Sequence, residues 1–188
     1  MGHRAPGGIV YGSPRDLVDA RGGQYNTALQ AASYRGRLEI FRLLLEKGAD
    51  VNATGGQYST ALQAASFAGP LEISQLLLEK GADVNATGGL YGSALQAASI
   101  RSSLEISRLL LERGADVTLM GGKFGTALQA ASVMGRLEIT RMLLEKGAEV
   151  NATGGKCGTA LQAAQDSYYK REAETIVQLL KEHGAVET

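Results

Sequence analysis

One interval governs this sequence. The alanine that opens a recurring Ala-Leu-Gln-Ala-Ala stands at Ala28, Ala61, Ala94, Ala127 and Ala160, each 33 residues from the last. A glycine keeps the same interval at Gly48, Gly81, Gly114 and Gly147. Self-similarity at 20–50 residues means a stack of one supersecondary unit, because a single unit cannot bury its own apolar face. Within the unit, residues 60–67 are alanine-rich and free of proline, and Gly69 closes them. Leu71, Ile73, Leu76, Leu77 and Leu78 then recur at helical spacing up to Gly81. The run Asn-Ala-Thr-Gly-Gly that follows carries a glycine pair able to take positive φ in a tight turn. Nowhere does the alternation of a strand appear. The unit reads helix, turn, helix, long β-turn loop, and the chain reads as an all-α solenoid of about five such units.

Three motifs make the reading specific: Thr-Ala-Leu-Gln-Ala-Ala, then Gly-x-Leu-Glu-Ile, then Leu-Leu-Leu-Glu-x-Gly-Ala-Asp-Val-Asn-Ala. Together with the period they resemble the ankyrin repeat over roughly residues 18 to 186. Where that family usually has Thr-Pro-Leu-His, this chain has Thr-Ala-Leu-Gln, with Ser93 in place of the threonine once. Losing the proline removes a preset first turn, and glutamine is expected to supply the hydrogen bonds that histidine normally gives. The tip Gly-Gly-x-Tyr also departs from the common Asp-x-x-Gly. This variant is similar to arrays appended to fungal NTPase-containing receptor-like proteins.

The period divides the chain into a non-repeat segment or partial cap at 1–17, then units at 18–50, 51–83, 84–116, 117–149 and 150–188. Ser13-Pro14 resembles a helix start, whereas Val18 to Gly23 aligns with the loop Val51 to Gly56. The fifth unit carries extra residues around Gln165 to Arg171, expected to lengthen its first helix or its connection. A more charged last helix, Glu172 to His183, makes that unit a C-terminal cap.

Nineteen basic and nineteen acidic residues cancel, which argues against a nucleic-acid partner. Cys157 is the single cysteine, consistent with a reducing compartment. No 18-residue apolar run spans a membrane, and Met-Gly-His-Arg-Ala-Pro lacks the apolar core of a signal peptide. The expected setting is intracellular and cytoplasmic, as a monomer, with a homodimer the alternative.

Chemistry finds little purchase. Asn52, Asn85 and Asn151 each begin a formal glycosylation acceptor, but the resemblance makes them loop-bracing residues. The Gly-Gly pairs lack the Lys-Ser/Thr and the preceding strand of a phosphate-binding loop. His3 and His183 lie at opposite ends, and Cys157 shares no neighbourhood with either. Neither a metal site nor an activated nucleophile is expected, and no cofactor. The chain is read as a non-enzyme.

Information lies where the units disagree. The end of the first helix varies freely: Tyr34 and Arg35, Phe67 and Ala68, Ile100 and Arg101, Val133 and Met134. The tips vary too, through Gln24, Gln57, Leu90, Lys123 and Lys156. The resemblance implies that tips and first helices line a concave groove for a protein or peptide partner. Tyr34, Arg35, Phe67, Ala68, Leu90, Ile100, Arg101, Lys123, Val133 and Met134 are therefore the candidate contacts, with an apolar stripe expected to face solvent. The competing reading has these side chains completing the packing between neighbouring first helices. A spacer or self-association array within a larger receptor, or a consensus-like artificial scaffold, is the functional alternative. Tyr25, Tyr58, Tyr91, Phe124 and Cys157 repeat rather than vary, and are read as tip packing. Ser102 stands where other units have glycine, a position expected to strain a left-handed turn.

Overall fold

The computed structural model describes residues 23, 25–68 and 71–187; the segment 1–17, the tip residue Gln24 and the Gly69-Pro70 turn lie outside them. Among the described residues ten helices follow in pairs: α1 Ala28–Arg35 and α2 Leu38–Glu46, α3 Ala61–Ala68 and α4 Leu71–Glu79, α5 Ala94–Arg101 and α6 Leu104–Glu112, α7 Ala127–Val133 and α8 Leu137–Glu145, α9 Ala160–Gln165 and α10 Lys170–Glu182. Among the described residues there is no strand, only isolated bridges that close the loop tips, such as Gly88 with Gly92.

Each first helix starts on a hydroxyl. Thr27, Ser93, Thr126 and Thr159 sit in extended backbone and accept the amide of the glutamine three residues on. In α5, α7 and α9 that glutamine side chain reaches back to the cap residue's own N–H, completing a capping box. Glycines in the left-handed region, such as Gly48 at φ 84°, end the second helices.

Alanine decides the shape. Ala61, Ala64 and Ala65 are sealed, as are their equivalents in α5, α7 and α9, while in α1 only Ala32 is, and side chains this small let α1, α3, α5, α7 and α9 touch along their lengths. The leucine-rich second helices hold each other further off. An array tight on one side and wide on the other curves, with first helices inside. Between the two rows runs a continuous core including Leu62, Ile73, Leu77, Leu95, Leu110, Leu128 and Leu143. Leu44, the equivalent of the core residue Leu77, is only half-buried, and Ile40 is 53% exposed where its equivalent Ile73 is fully buried. The side chains in question face the preceding unit, and among the described residues no helix pair precedes α2.

In the fifth unit the extra residues fall in the connection, one of the two expected places, and in the second helix rather than the first. Its first helix is shorter than the others, so the extra residues lengthen the connection, Asp166 to Tyr169, and the second helix, which begins at Lys170.

Candidate functional site

Loop tips stack on one another like fingers. Leu90 N–H donates to Gln57 C=O at 2.8 Å, Lys123 to Leu90 at 2.8 Å, and Lys156 to Lys123 at 2.9 Å. Such close approach explains the glycine pair. A Cβ on Gly122 would lie 2.4 Å from the backbone nitrogen of Gly92 in the finger before it, at a φ of 59° that already disfavours any side chain. The pairs are thus finger contacts, consistent with the absence of phosphate-loop partners in the sequence.

In α3, α5 and α7 the glutamine side chain ties its own cap to the next finger. Gln63 accepts from Thr60 N–H and donates through Nε2 to Ala86 C=O at 3.0 Å and Gly92 C=O at 2.8 Å. Gln30 makes the same reach to Ala53 and Ser59, Gln96 to Gly121 and Gly125, Gln129 to Ala152, Gly154 and Gly158. On the other side of the loop, Asn52 and Asn85 brace the turn that follows the next second helix, each donating to its glycine carbonyl (Gly81, Gly114) and accepting from Asp83 or Asp116 N–H. Asn151 does so with Gly184 and Val186. Thr118 holds this place once, and its hydroxyl turns to its own Asp116 instead.

With fingers and first helices fixed side by side, their aromatic residues meet. Tyr25, Tyr34, Tyr58, Phe67 and Tyr91 form one row, finger and helix alternating, with ring centroids 5.1, 5.1, 5.6 and 4.4 Å apart. Tyr58, in the middle, is buried, and burial raises its phenol far above the ordinary range, with a hydrogen bond to Tyr34 adding to the effect. Tyr34 and Phe67 remain half-exposed. Residues that the sequence separated into a repeating set and a varying set therefore make one surface. The signal was present in the spacing, since Tyr25 and Tyr34 are nine residues apart and Tyr58 and Phe67 repeat the interval.

Cations rest on these rings. The Arg101 guanidinium lies 5.2 Å from the Phe67 ring centre, Arg35 lies 6.0 Å from Tyr34, and the Lys123 ammonium 5.2 Å from Phe124. Arg35, Ala68, Arg101 and Lys123 are exposed, and Leu90 is 42% exposed at its fingertip. Val133 and Met134 are half-buried. Ile100 corrects the expected stripe: it is 4% exposed, sealed where Tyr34 and Phe67 reach outward. Arg136 closes over it, binding the Ile100 carbonyl through Nε and Nη2 at 3.3 Å each. Cys157 is half-buried under the last finger; burial raises its thiol, Asp166 adds to this and Lys123 opposes it. Among the described residues no three His, Cys, Asp or Glu converge on a metal-sized space, and no helix is long and apolar enough to cross a membrane.

Fold and surface together define a class: a curved stack of helix pairs whose inner face, built from fingertips and first helices, carries the side chains that differ between units. A family model described as ankyrin repeats, in three copies, matches residues 9–88 and 89–154. The chain belongs to the ankyrin repeat family. Comparison with curated proteins gives no match. Ankyrin repeats are generally protein-interaction modules and typically non-catalytic.

Proposed function

We propose that the chain holds a protein or peptide partner against its concave face and performs no chemistry on it. One observation carries this reading: Arg35, Ala68, Leu90, Arg101 and Lys123 are exposed and Tyr34 and Phe67 partly so, while most of the residues that repeat from unit to unit are spent on stacking. Val133 and Met134 extend the surface toward the fifth unit, and Ile100 supports it from beneath. Aromatic and arginine side chains held in place by neighbours are the usual anchors of an interface, because little entropy is lost when they dock.

The test is affinity capture from a native extract with Leu90→Glu/Arg101→Glu beside the unaltered chain. Both side chains are exposed, so the melting temperature is expected to stay within about 2 °C while specific partners are lost. An unchanged set of captured proteins contradicts the groove as the binding surface.

A further inference from the structure

Formal neutrality conceals a division of charge between the two faces. No aspartate or glutamate occurs in any fingertip or first helix of the described units; the nearest is Asp166, which caps α9. Each of the second helices α2, α4, α6 and α8 carries two glutamates and is followed by a further acid at Asp50, Asp83, Asp116 or Glu149, in excess over the bases Arg42, Lys47, Lys80, Arg108, Arg113, Arg141 and Lys146 of the same segments. On the inner face stand Arg35, Arg101, Lys123 and Lys156, all exposed. None of these four has a carboxylate within ion-pair distance among the described residues, where the ion pairs formed are Arg42–Glu72 and Lys181–Glu187. Three of the four instead lie over aromatic rings.

Resting on the reading that this face binds a partner, we propose that the partner presents an extended acidic segment with apolar side chains among its carboxylates. Opposite charge draws such a segment to the inner face, while the acidic outer helices repel it, which sets orientation as well as encounter rate. Arginine and lysine held over rings shed water readily when the face is covered, and their attraction to a carboxylate grows as they do. Leu90 and the half-exposed edges of Tyr34 and Phe67 supply apolar contact between the cations. Arg35 belongs to the first unit and Lys156 to the fifth. At about 8–10 Å between packed helices this distance is about 30–40 Å, the reach of about ten to twelve extended residues. A nucleic acid suits the face less well: four cations are few beside the six to ten phosphate contacts of a tight complex. The aromatic rings are also already stacked on one another rather than open to bases.

The experiment selects random twelve-residue displayed peptides against the full chain, against Arg35→Glu/Arg101→Glu/Lys123→Glu, and against Lys80→Glu/Arg108→Glu/Lys146→Glu. The last carries the same charge change on the outer side. The expected result is a consensus rich in Asp and Glu with interspersed Leu, Phe or Tyr, kept by the outer-face variant. Reversing the inner face should weaken a selected peptide by at least about tenfold. Peptides that carry no acidic bias yet lose binding in Leu90→Glu overturn the acidic segment and leave the concave-face reading standing. Peptides indifferent to every inner-face change overturn both. Tighter binding of single-stranded oligothymidylate than of any peptide, abolished by the inner-face reversal, overturns the proposal in favour of a nucleic acid.

Discussion

Ser102 shows how a single residue is held against its preference by its neighbours. It caps α5 at φ 69°, ψ 30°, where the equivalent Gly36 and Gly135 sit at φ 65°. A Cβ in this left-handed region costs about 1 kcal/mol or more. Restoring glycine also frees the unfolded chain, which offsets part of the gain. Ser102→Gly should therefore raise unfolding stability by about 0.5–1 kcal/mol, measured by urea denaturation; a loss of stability would mean that the serine hydroxyl has a role the backbone angles do not reveal. Asn26 and Ser59 occupy the same region at φ 64° and 65°, but Asn26 uses its side chain to bind Thr54 C=O in the next finger at 2.9 Å. Strain at one residue is thus tolerated where a side chain gains a partner, and is uncompensated at Ser102, whose exposed side chain caps nothing beyond the backbone.

Among the elements, the first helix and the finger of the next unit behave as one piece joined by a glutamine. Gln63 is buried with its amide divided between its own cap and two carbonyls of the following finger. Gln63→Ala removes three hydrogen bonds at once and leaves Gly92 C=O with only Gly88 N–H and Thr60 N–H with only Tyr58 C=O, an expected loss of about 2–4 kcal/mol. Urea denaturation beside Gln178→Ala, a change on the exposed side of α10, checks this; equal effects from the two would show that the glutamine joint is dispensable. Helix pairs, their glycine terminators and their order were legible in the sequence, because units of alanine-rich and leucine-rich helix repeated every 33 residues bury most of their apolar side chains only by stacking. What the sequence could not rank was depth. Residues 34, 67, 100 and 133 are equivalent, and nothing local distinguishes Ile100, which is sealed, from Phe67, which is not. An aromatic ring at 34 or 67 meets the fingertip tyrosines, and closure over Ile100 depends on Arg136 from the next unit. The aromatic row was missed as a unit for a similar reason: it exists only once finger and helix are set side by side. Leu44 and Ile40 mark another limit, since burial of an end unit depends on what lies beyond it.

For the molecule as a whole, curvature and charge follow from the same repeat. Alanine brings the first helices together and leucine spaces the second, so the fingertips gather on the concave side. Charges on the second helices repeat with the unit and are acidic in excess, whereas the inner face varies and accumulates cations. A net charge of zero is therefore a poor guide to partners when the surface is divided in this way. The most direct test of the account is amide and methyl NMR of the labelled chain titrated with its captured partner, or with a selected peptide. Shift changes should concentrate at Tyr34, Arg35, Phe67, Ala68, Leu90, Arg101 and Lys123, with the outer helices α2, α4, α6 and α8 unmoved. Changes centred on those outer helices, with the finger row silent, would contradict it.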